Sequence, residues 1–339
     1  MLDKTSAIIL PRRLRGRPST KAEAKYRGSV LKFCKRILEI RLSLDFRVSA
    51  RGWCYLLEED GLAKGDFDQG EKLINDLRKS GDLPLDICAE HSARAAVGVE
   101  KLHGDINVEV EGWVNFLRND FPNKYTPVSF WADLDVYIEV GVEKLDVLNL
   151  FKPVCCREFY AVPITPLGGW ADINCRVAMM RRFQEHELAG RKCILLVVTD
   201  HDPGGLRIAD KLRKNLEDLA RAVGWSPDNL IITRFGLDFD FIEREGLTWI
   251  DNLETGSGLQ LDDPDHADHE KKYVQDYIEK FGVRKVEATA LVKRPEAARE
   301  LMRQTLLRYI PKAALRRYER KLEPLRNAFR RAIRKRVPR

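Results

Sequence analysis

The chain has 339 residues, of which 44% are hydrophobic and 33% are charged, and its formal net charge is +7 at pH 7. This length allows two compact cores and excludes a single small module. No apolar run approaches the roughly 18 residues that a membrane span needs, and a basic segment follows the N-terminus where a signal peptide would be apolar. We therefore expect a cytoplasmic protein with no membrane partner.

The positive charge is concentrated at the two ends of the chain. Residues 1–41 carry a net charge of +9 and residues 312–339 carry +10, which leaves −12 for the middle. Basic ends around an acidic centre suit a protein that holds a polyanion and collects a divalent cation. Basic surfaces that only contact solvent would give the same net charges. The charge distribution is therefore compatible with nucleic-acid binding but does not establish it. The seven cysteines contain no C-x-x-C pair, which argues against a zinc site.

The N-terminal third has the outline of a winged helix. Residues 1–20, rich in Pro, Gly and Arg, predict a flexible basic arm, and residues 21–128 predict a helical, winged-helix DNA-binding domain. In the helix-turn-helix arrangement the second helix enters the major groove, where its basic side chains can contact phosphates. The predicted elements are a helix over 21–44, a strand over 46–49, helices over 51–58 and 66–79, and a strand over 83–88. The candidate DNA contacts on the second helix are Lys72, Arg78 and Lys79.

The centre of the chain alternates between short β-rich runs and helix-like stretches. This alternation predicts an α/β domain with a parallel sheet, which we place at residues 129–292. A basic helical extension, residues 293–339, follows it, and we expect this extension either to pack in a dimer interface or to bind DNA. The predicted strands are 135–142, 158–164, 194–199, 230–234 and a short one near 285–291, and the predicted helices include 145–151 and 206–223.

Three carboxylates follow predicted strands directly. Glu143 comes after the first strand, and Asp200 and Asp202 come after the third, before Pro203 and two glycines. In parallel α/β sheets the chemistry lies at the carboxyl edge of the strands, and clustered carboxylates are the ligands that Mg²⁺ prefers. We therefore predict an Mg²⁺ site at this edge, with Glu139 as a further candidate ligand. A single Asp-x-Asp is also compatible with simple helix capping.

These carboxylates and the residues between them resemble a known family. The Glu143 and Asp200/Asp202 pattern is similar to a TOPRIM domain, a Rossmann-like metal-binding fold. Residues 169–176, Gly-Trp-Ala-Asp-Ile-Asn-Cys-Arg, resemble the Gly-Tyr-Pro-Asp-x-x-Thr-Arg segment of topoisomerase VI A subunits and related meiotic double-strand-break proteins. Ala171 and Cys175 replace the Pro and Thr of that segment. The resemblance covers about residues 45–210.

The resemblance implies a type IIB topoisomerase-like enzyme that binds and cleaves duplex DNA with a tyrosine nucleophile. Residues 51–55, Arg-Gly-Trp-Cys-Tyr, are similar to the family's Arg-x-x-Tyr-Tyr, which makes Tyr55 the catalytic residue. Tyr55 would form a reversible phosphotyrosine link, Arg51 would stabilise charge on the phosphate, and Mg²⁺ would position it. Lys144 and Arg176 would contact phosphate or carboxylate near the site.

The resemblance also implies partners, and two other functions stay open. In the family the tyrosine of one protomer works with the metal site of the other, which implies a homodimer. No ATP-binding loop is present, so strand passage would need a separate ATPase subunit. A DNA-cleaving enzyme would be nucleoid-associated. The alternatives are an Mg²⁺-dependent TOPRIM nuclease that hydrolyses DNA within a larger complex, and a non-catalytic DNA-binding subunit.

Overall fold

The computed structural model describes residues 8–13, 19–89, 100, 102–167, 173–254 and 258–336. It is a mixed α/β protein with a four-stranded parallel sheet, which confirms the predicted fold class at this level. Within these ranges no helix has the length and apolar character that a bilayer crossing requires. Residues 169–172 of the motif described above, and residues 1–7 and 14–18 of the predicted arm, lie outside the described residues.

The sheet is built from β1 (Val136–Val142), β2 (Ile164–Pro166), β3 (Lys192–Val198) and β4 (Ile231–Arg234). Its strand order is β2-β1-β3-β4, and every neighbouring pair is parallel. The two central strands are buried along almost their whole length, and β3 is a nearly continuous run of Ile, Leu and Val, as expected for strands covered on both faces. β1 and β3 are paired with Val142 opposite Val198, so both strands end at the same level.

Helices surround the sheet and form the N-terminal module. The first five are α1 (Thr20–Ser43), α2 (Ala50–Glu58), α3 (Phe67–Ser80), α4 (Ile106–Asn115) and α5 (Phe121–Lys124). Those of the sheet region are α6 (Leu145–Pro153), α7 (Ile173–Leu188), α8 (Pro203–Leu206), α9 (Ile208–Glu217), α10 (Ala220–Val223), α11 (Phe239–Glu245) and α12 (Lys272–Phe281). The C-terminal pair is α13 (Pro295–Leu307) and α14 (Lys312–Arg336).

In the N-terminal module both predicted helices are present, as α2 and α3. The two flanking strands are reduced to one parallel bridge between Val48 and Cys88, and no antiparallel wing forms among the described residues. The reason lies in the turn after α3: the guanidinium of Arg78 donates twice to the carbonyl of Leu85, where a short 3₁₀ helix (Leu85–Ile87) forms. The 3₁₀ helix takes up residues 85–87 of the segment predicted as the second strand, so no extended strand can form there.

Two predicted strands and one predicted helix differ from the structure. Residues 158–163 do not form a strand and β2 begins only at Ile164, because a π-helix (Val154–Glu158) precedes a left-handed residue, Tyr160, whose φ is 59°. Residues 285–291 form single antiparallel bridges and then a 3₁₀ helix (Ala288–Lys293), because backbone groups there bond to side chains and to loops. The helix predicted over 206–223 is broken into α8, α9 and α10.

One contiguous hydrophobic core joins the N-terminal module to the sheet, and its buried members run from Leu10 to Leu322. Leu10 is buried, and the amide of Ile8 donates to the carbonyl of Asp60 at 2.6 Å, so residues 8–11 are docked where we expected a flexible arm. Asp146, at the start of α6, is buried and accepts hydrogen bonds from the amide and hydroxyl of Ser49, the residue that caps α2. The module is therefore fixed against the end of β1.

Candidate functional site

Two of the three predicted metal ligands meet at the carboxyl edge of the sheet. The amide of Asp200 donates to Glu143 Oε2 at 3.3 Å, because β1 and β3 end side by side. The ammonium of Lys144 lies between the two carboxylates, 2.7 Å from Glu143 Oε1 and 3.3 Å from Asp200 Oδ2. The other oxygen of Asp200 accepts the amide of Ala288 at 2.7 Å. The sheet edge therefore holds an acidic pair that one lysine partly neutralises.

The environment of Asp200 favours a bound cation. Burial, and then the nearby charge of Glu143, raise the pKa of Asp200 to about 6. Lys144 is the cation that the pair attracts in the described chain, and the pKa of Lys144 is raised by Asp200 and Glu143 although burial opposes this shift. An oxygen-only pair with surplus negative charge fits Mg²⁺, which takes one or two carboxylates and completes its shell with water and phosphate.

The third predicted metal ligand, Asp202, makes a local hydrogen bond to the helix that follows it. Its Oδ1 accepts the amide of Gly205 at 2.5 Å and so caps the short helix α8. Among the described residues no group of three or more His, Cys, Asp or Glu side chains surrounds a common point as metal ligands would. The charge of Asp202 still contributes to the raised pKa of Asp200, so the two carboxylates lie near each other. The helix-capping alternative thus describes Asp202, whereas Glu143 and Asp200 form the pair.

The two residues predicted to be catalytic, Arg51 and Tyr55, both contact Glu287. The hydroxyl of Tyr55 donates to Glu287 Oε2 at 2.9 Å, and Arg51 Nη2 donates to Glu287 Oε1 at 3.0 Å. Glu287 precedes Ala288, whose amide binds Asp200. Sequence reasoning missed Glu287, because its role depends on contacts with α2, more than 230 residues away. The N-terminal module and the acidic pair are thus joined through two consecutive residues.

Tyr55 is inaccessible in this conformation. Its side chain is fully buried, at 0% exposure, between the edge-on ring of Phe67 and the ammonium of Lys64. Burial, and then the charge of Glu287, raise the pKa of Tyr55 above its ordinary value. A phosphate group can reach the hydroxyl only if Glu287 and the side chains packed on the ring move away.

The remaining predicted contacts are distributed over two regions. Lys72 and Lys79 are exposed on α3, where Lys79 pairs with Asp76, and Arg78 fixes the following turn as described above. Arg176 Nη1 donates to the carbonyl of Asn215 at 2.9 Å, and its buried Nε has no hydrogen-bond partner among the described residues. Glu139 is buried away from the edge, where Arg182 Nε and Nη2 each donate to it at 2.8 Å. It is therefore a core ion pair.

Lys64 gives the first testable prediction. Its ammonium has no hydrogen-bond partner among the described residues, lies 3.8 Å from the ring centroid of Tyr55, and is 4.0 Å from Glu58 Oε2. Burial lowers the pKa of Lys64 from 10.5 to about 8. The charged form therefore destabilises the folded chain at pH 7, although the aromatic faces offset part of the cost. We expect Lys64→Met to raise the free energy of unfolding at pH 7 by about 1–3 kcal/mol.

The pH dependence of this effect has a defined sign. Between pH 8 and 10.5 the unfolded chain holds a proton on Lys64 that the folded chain has lost, so wild-type stability rises with pH across this window. The advantage of Lys64→Met should therefore shrink above pH 8 and disappear by pH 10.5. Urea unfolding at pH 7 and pH 10 measures it, with Lys72→Met, on the exposed face of α3, as the control. A stability gain of Lys64→Met that does not change with pH would show that the buried charge of Lys64 is not the cause of the gain.

The chain is thus an α/β protein with an acidic pair at the carboxyl edge of a parallel sheet and a helical module held against that edge. No known protein-family model and no curated protein matches its sequence.

Proposed function

We propose that the chain is an Mg²⁺-dependent enzyme that cuts the phosphodiester backbone of duplex DNA at the edge formed by Glu143 and Asp200. The observation that carries the proposal is the meeting of these two carboxylates, with the Lys144 ammonium between them, at the ends of adjacent parallel strands. The resemblance of the sequence to TOPRIM domains, and the helix pair α2 and α3 of the N-terminal module, support the same class. The basic ends of the chain suit a DNA substrate.

Each residue at the edge has a chemical task in this proposal. Glu143 and Asp200 would hold Mg²⁺, which supplies a Lewis acid for the phosphate and lowers the pKa of a bound water. The Ala288 amide fixes the Asp200 carboxylate through Oδ1 and leaves Oδ2 directed toward Lys144. Once the pair is neutralised by metal, the Lys144 ammonium is available to a phosphate oxygen.

The geometry favours water as the nucleophile. Tyr55 is fully buried and its hydroxyl is committed to Glu287, whereas the Glu143 and Lys144 side chains at the edge are each 35% exposed. In hydrolysis the water oxygen bonds to phosphorus, the ester bond breaks, and the departing oxygen takes a proton. On this proposal Tyr55 and Arg51 position Glu287 and do not touch DNA.

A tyrosine transesterase is the second candidate, and one observation favours it. Tyr55 and Asp200 are linked through the consecutive residues Glu287 and Ala288, so the phenol lies near the acidic pair of its own chain. Attack by Tyr55 would require its release from Glu287. A homodimer in which each tyrosine serves the partner's site would require the same release, and strand passage would also need an ATPase subunit.

The nature of the cleaved ends distinguishes the two candidates. Purified protein is incubated with supercoiled DNA and Mg²⁺, quenched with detergent, and assayed for free ends and for covalent protein–DNA adducts. For the hydrolase we expect free ends with wild type and with Tyr55→Phe, none with Asp200→Asn, and wild-type cleavage with Asp210→Asn, an exposed acid on α9. Adducts that vanish in Tyr55→Phe would establish the transesterase. Cleavage that survives Asp200→Asn would refute both.

A further inference from the structure

A basic groove lies at the C-terminal end of α6, the helix whose N-terminal end follows Glu143. Its cavity is about 430 Å³, and its walls come from the end of α1, the segment around Phe46, and the end of α6 with the π-helix that follows. Four cationic side chains line it: Arg41, Arg47, Lys152 and Arg157. Phe46 and the exposed Cys156 form part of its surface. Cations from three separate segments thus face one concave surface.

The charge of the groove is poorly compensated by the protein. Its one acidic lining residue, Asp45, is already paired with Arg299 at 2.6 Å. Lys152 and Arg157 form no ion pair with any described residue. Arg47 contacts Asp86 at 2.8 Å, but both side chains are more than 40% exposed, and exposed pairs of this kind hold only weakly. The partial negative charge at the C-terminal end of α6 favours a cation at Lys152, but it does not explain Arg41 and Arg47, which lie on other segments.

The groove has a fixed spacing from the acidic pair. α6 begins two residues after Glu143 and ends at Pro153, and nine residues of α-helix span about 13 Å. The side-chain amide of Asn149, on α6, donates to the carbonyl of Arg47 at 3.0 Å, which fastens the groove wall to that helix. Phosphates of one strand recur about every 3.4 Å along the DNA axis, so the length of α6 equals about four phosphate steps of one strand.

We propose that this groove binds the sugar–phosphate backbone of duplex DNA and sets the point at which the strand meets the Glu143–Asp200 edge. The inference rests on the proposed function for its substrate class, but backbone binding requires neither metal nor cleavage. The groove would recognise phosphates by charge, without reading base sequence.

Salt dependence of binding tests the charge contacts. Affinity of the full chain for a duplex is measured in EDTA at several salt concentrations, for wild type and for Lys152→Gln/Arg157→Gln. Each phosphate contact contributes about 0.9 to the slope of log affinity against log salt, so the slope should fall by about 2. Lys214→Gln/Lys272→Gln, at exposed positions of α9 and α12 outside the groove, makes the same charge change and is the matched control, for which we expect the wild-type slope. An unchanged slope in the groove variant, with folding intact, would overturn the proposal.

Cys156 gives an independent measurement within the groove. It is the exposed cysteine of the chain, since five others are buried and Cys175 is half-buried. Bound duplex should abolish most alkylation of Cys156 by a maleimide in EDTA, read by peptide mass, with Cys156→Ser identifying the signal. Equal protection by polyglutamate would overturn the assignment to DNA, as would full labelling of the DNA complex. Protection without any cleavage in Mg²⁺ would refute the proposed enzyme and retain the groove.

Discussion

Gly205→Ala should abolish DNA cleavage and lower the free energy of unfolding by about 1–3 kcal/mol, because the position has no space for a side chain. A Cβ at Gly205 would lie 2.1 Å from the carbonyl oxygen of Asp200 and 3.2 Å from Asp202 Oδ1. The first of these atoms belongs to the backbone of the residue that carries the acidic pair. Relief of the clash must therefore move Asp200, the Gly205 amide, or both.

The loop around Asp200 has little freedom to absorb that shift. The Thr199 hydroxyl donates to the Gly205 carbonyl at 3.1 Å, and Arg234 Nε donates to the Thr199 hydroxyl at 3.2 Å. On the other side His201 exchanges backbone hydrogen bonds with Val286, which precedes Glu287. A displaced Asp200 would thus disturb both its alignment with Glu143 and its bond from the Ala288 amide.

Gly204→Ala is the matched control because it makes the same chemical change one residue earlier. A Cβ there would meet Lys211 Nζ at 3.3 Å and Asp202 Oδ1 at 3.4 Å, and the lysine end can move aside. We expect its free energy of unfolding to stay within about 1 kcal/mol of wild type, with cleavage retained. Urea unfolding and the plasmid assay measure both variants. Equal behaviour of the two would show that the close approach at Gly205 does not constrain the edge.

The sequence was most informative where local pattern and tertiary structure agree. The run ending at Val198 is apolar on both faces and the run ending at Val142 is β-rich, so both predict parallel strands, and the carboxyl ends of such strands lie at one edge of the sheet. The pairing of Glu143 with Asp200 follows from that rule. The place of Asp202 after the strand and the TOPRIM resemblance predict this residue at the same site, and an Asp before a helix can also satisfy the first amides of that helix, as Asp202 Oδ1 does here.

The rest of the site depends on contacts that no local pattern records. Residues 285–291 have β-branched and apolar residues typical of a strand, yet the Ala288 amide goes to Asp200 and the Glu287 carboxylate goes to α2. The family resemblance predicts Tyr55 as the nucleophile and Arg51 as the residue that stabilises charge on the phosphate. Their common contact with Glu287 could not be inferred, because the two segments are more than 230 residues apart.

The second large effect is expected at Glu287. Glu287→Ala would leave the buried Tyr55 hydroxyl without its acceptor and remove two hydrogen bonds from Arg51, whose remaining partners are Asp68 and Glu71. Burial opposes the charged form of Glu287, but Arg51 and then Tyr55 outweigh burial and lower the pKa of Glu287, so the carboxylate is the form they bind. We expect a loss of about 3 kcal/mol in the free energy of unfolding.

A double-mutant cycle separates a shared interaction from general damage. Tyr55→Phe, Glu287→Gln and the double variant are unfolded in urea, with Glu279→Ala, an exposed acid on α12, as a control that should change stability by less than about 0.5 kcal/mol. If Tyr55 and Glu287 act on each other, the double variant should cost less than the sum of the singles by about 1 kcal/mol. Strictly additive losses would show that Tyr55 and Glu287 do not stabilise each other, and would leave Arg51 as the contact between α2 and Glu287.

Cleavage by the same variants then tests what the link is for. If Glu287 positions Asp200 through Ala288, Glu287→Gln should reduce cleavage at temperatures where the protein is fully folded, and Tyr55→Phe should reduce it less, because Arg51 still holds the carboxylate. If Tyr55 is the nucleophile, the order reverses: Tyr55→Phe abolishes cleavage, whereas Glu287→Gln weakens the restraint on the phenol and lowers the barrier to its release. The rank order of these two variants therefore assigns Tyr55 either to the support of the acidic pair or to the chemistry itself.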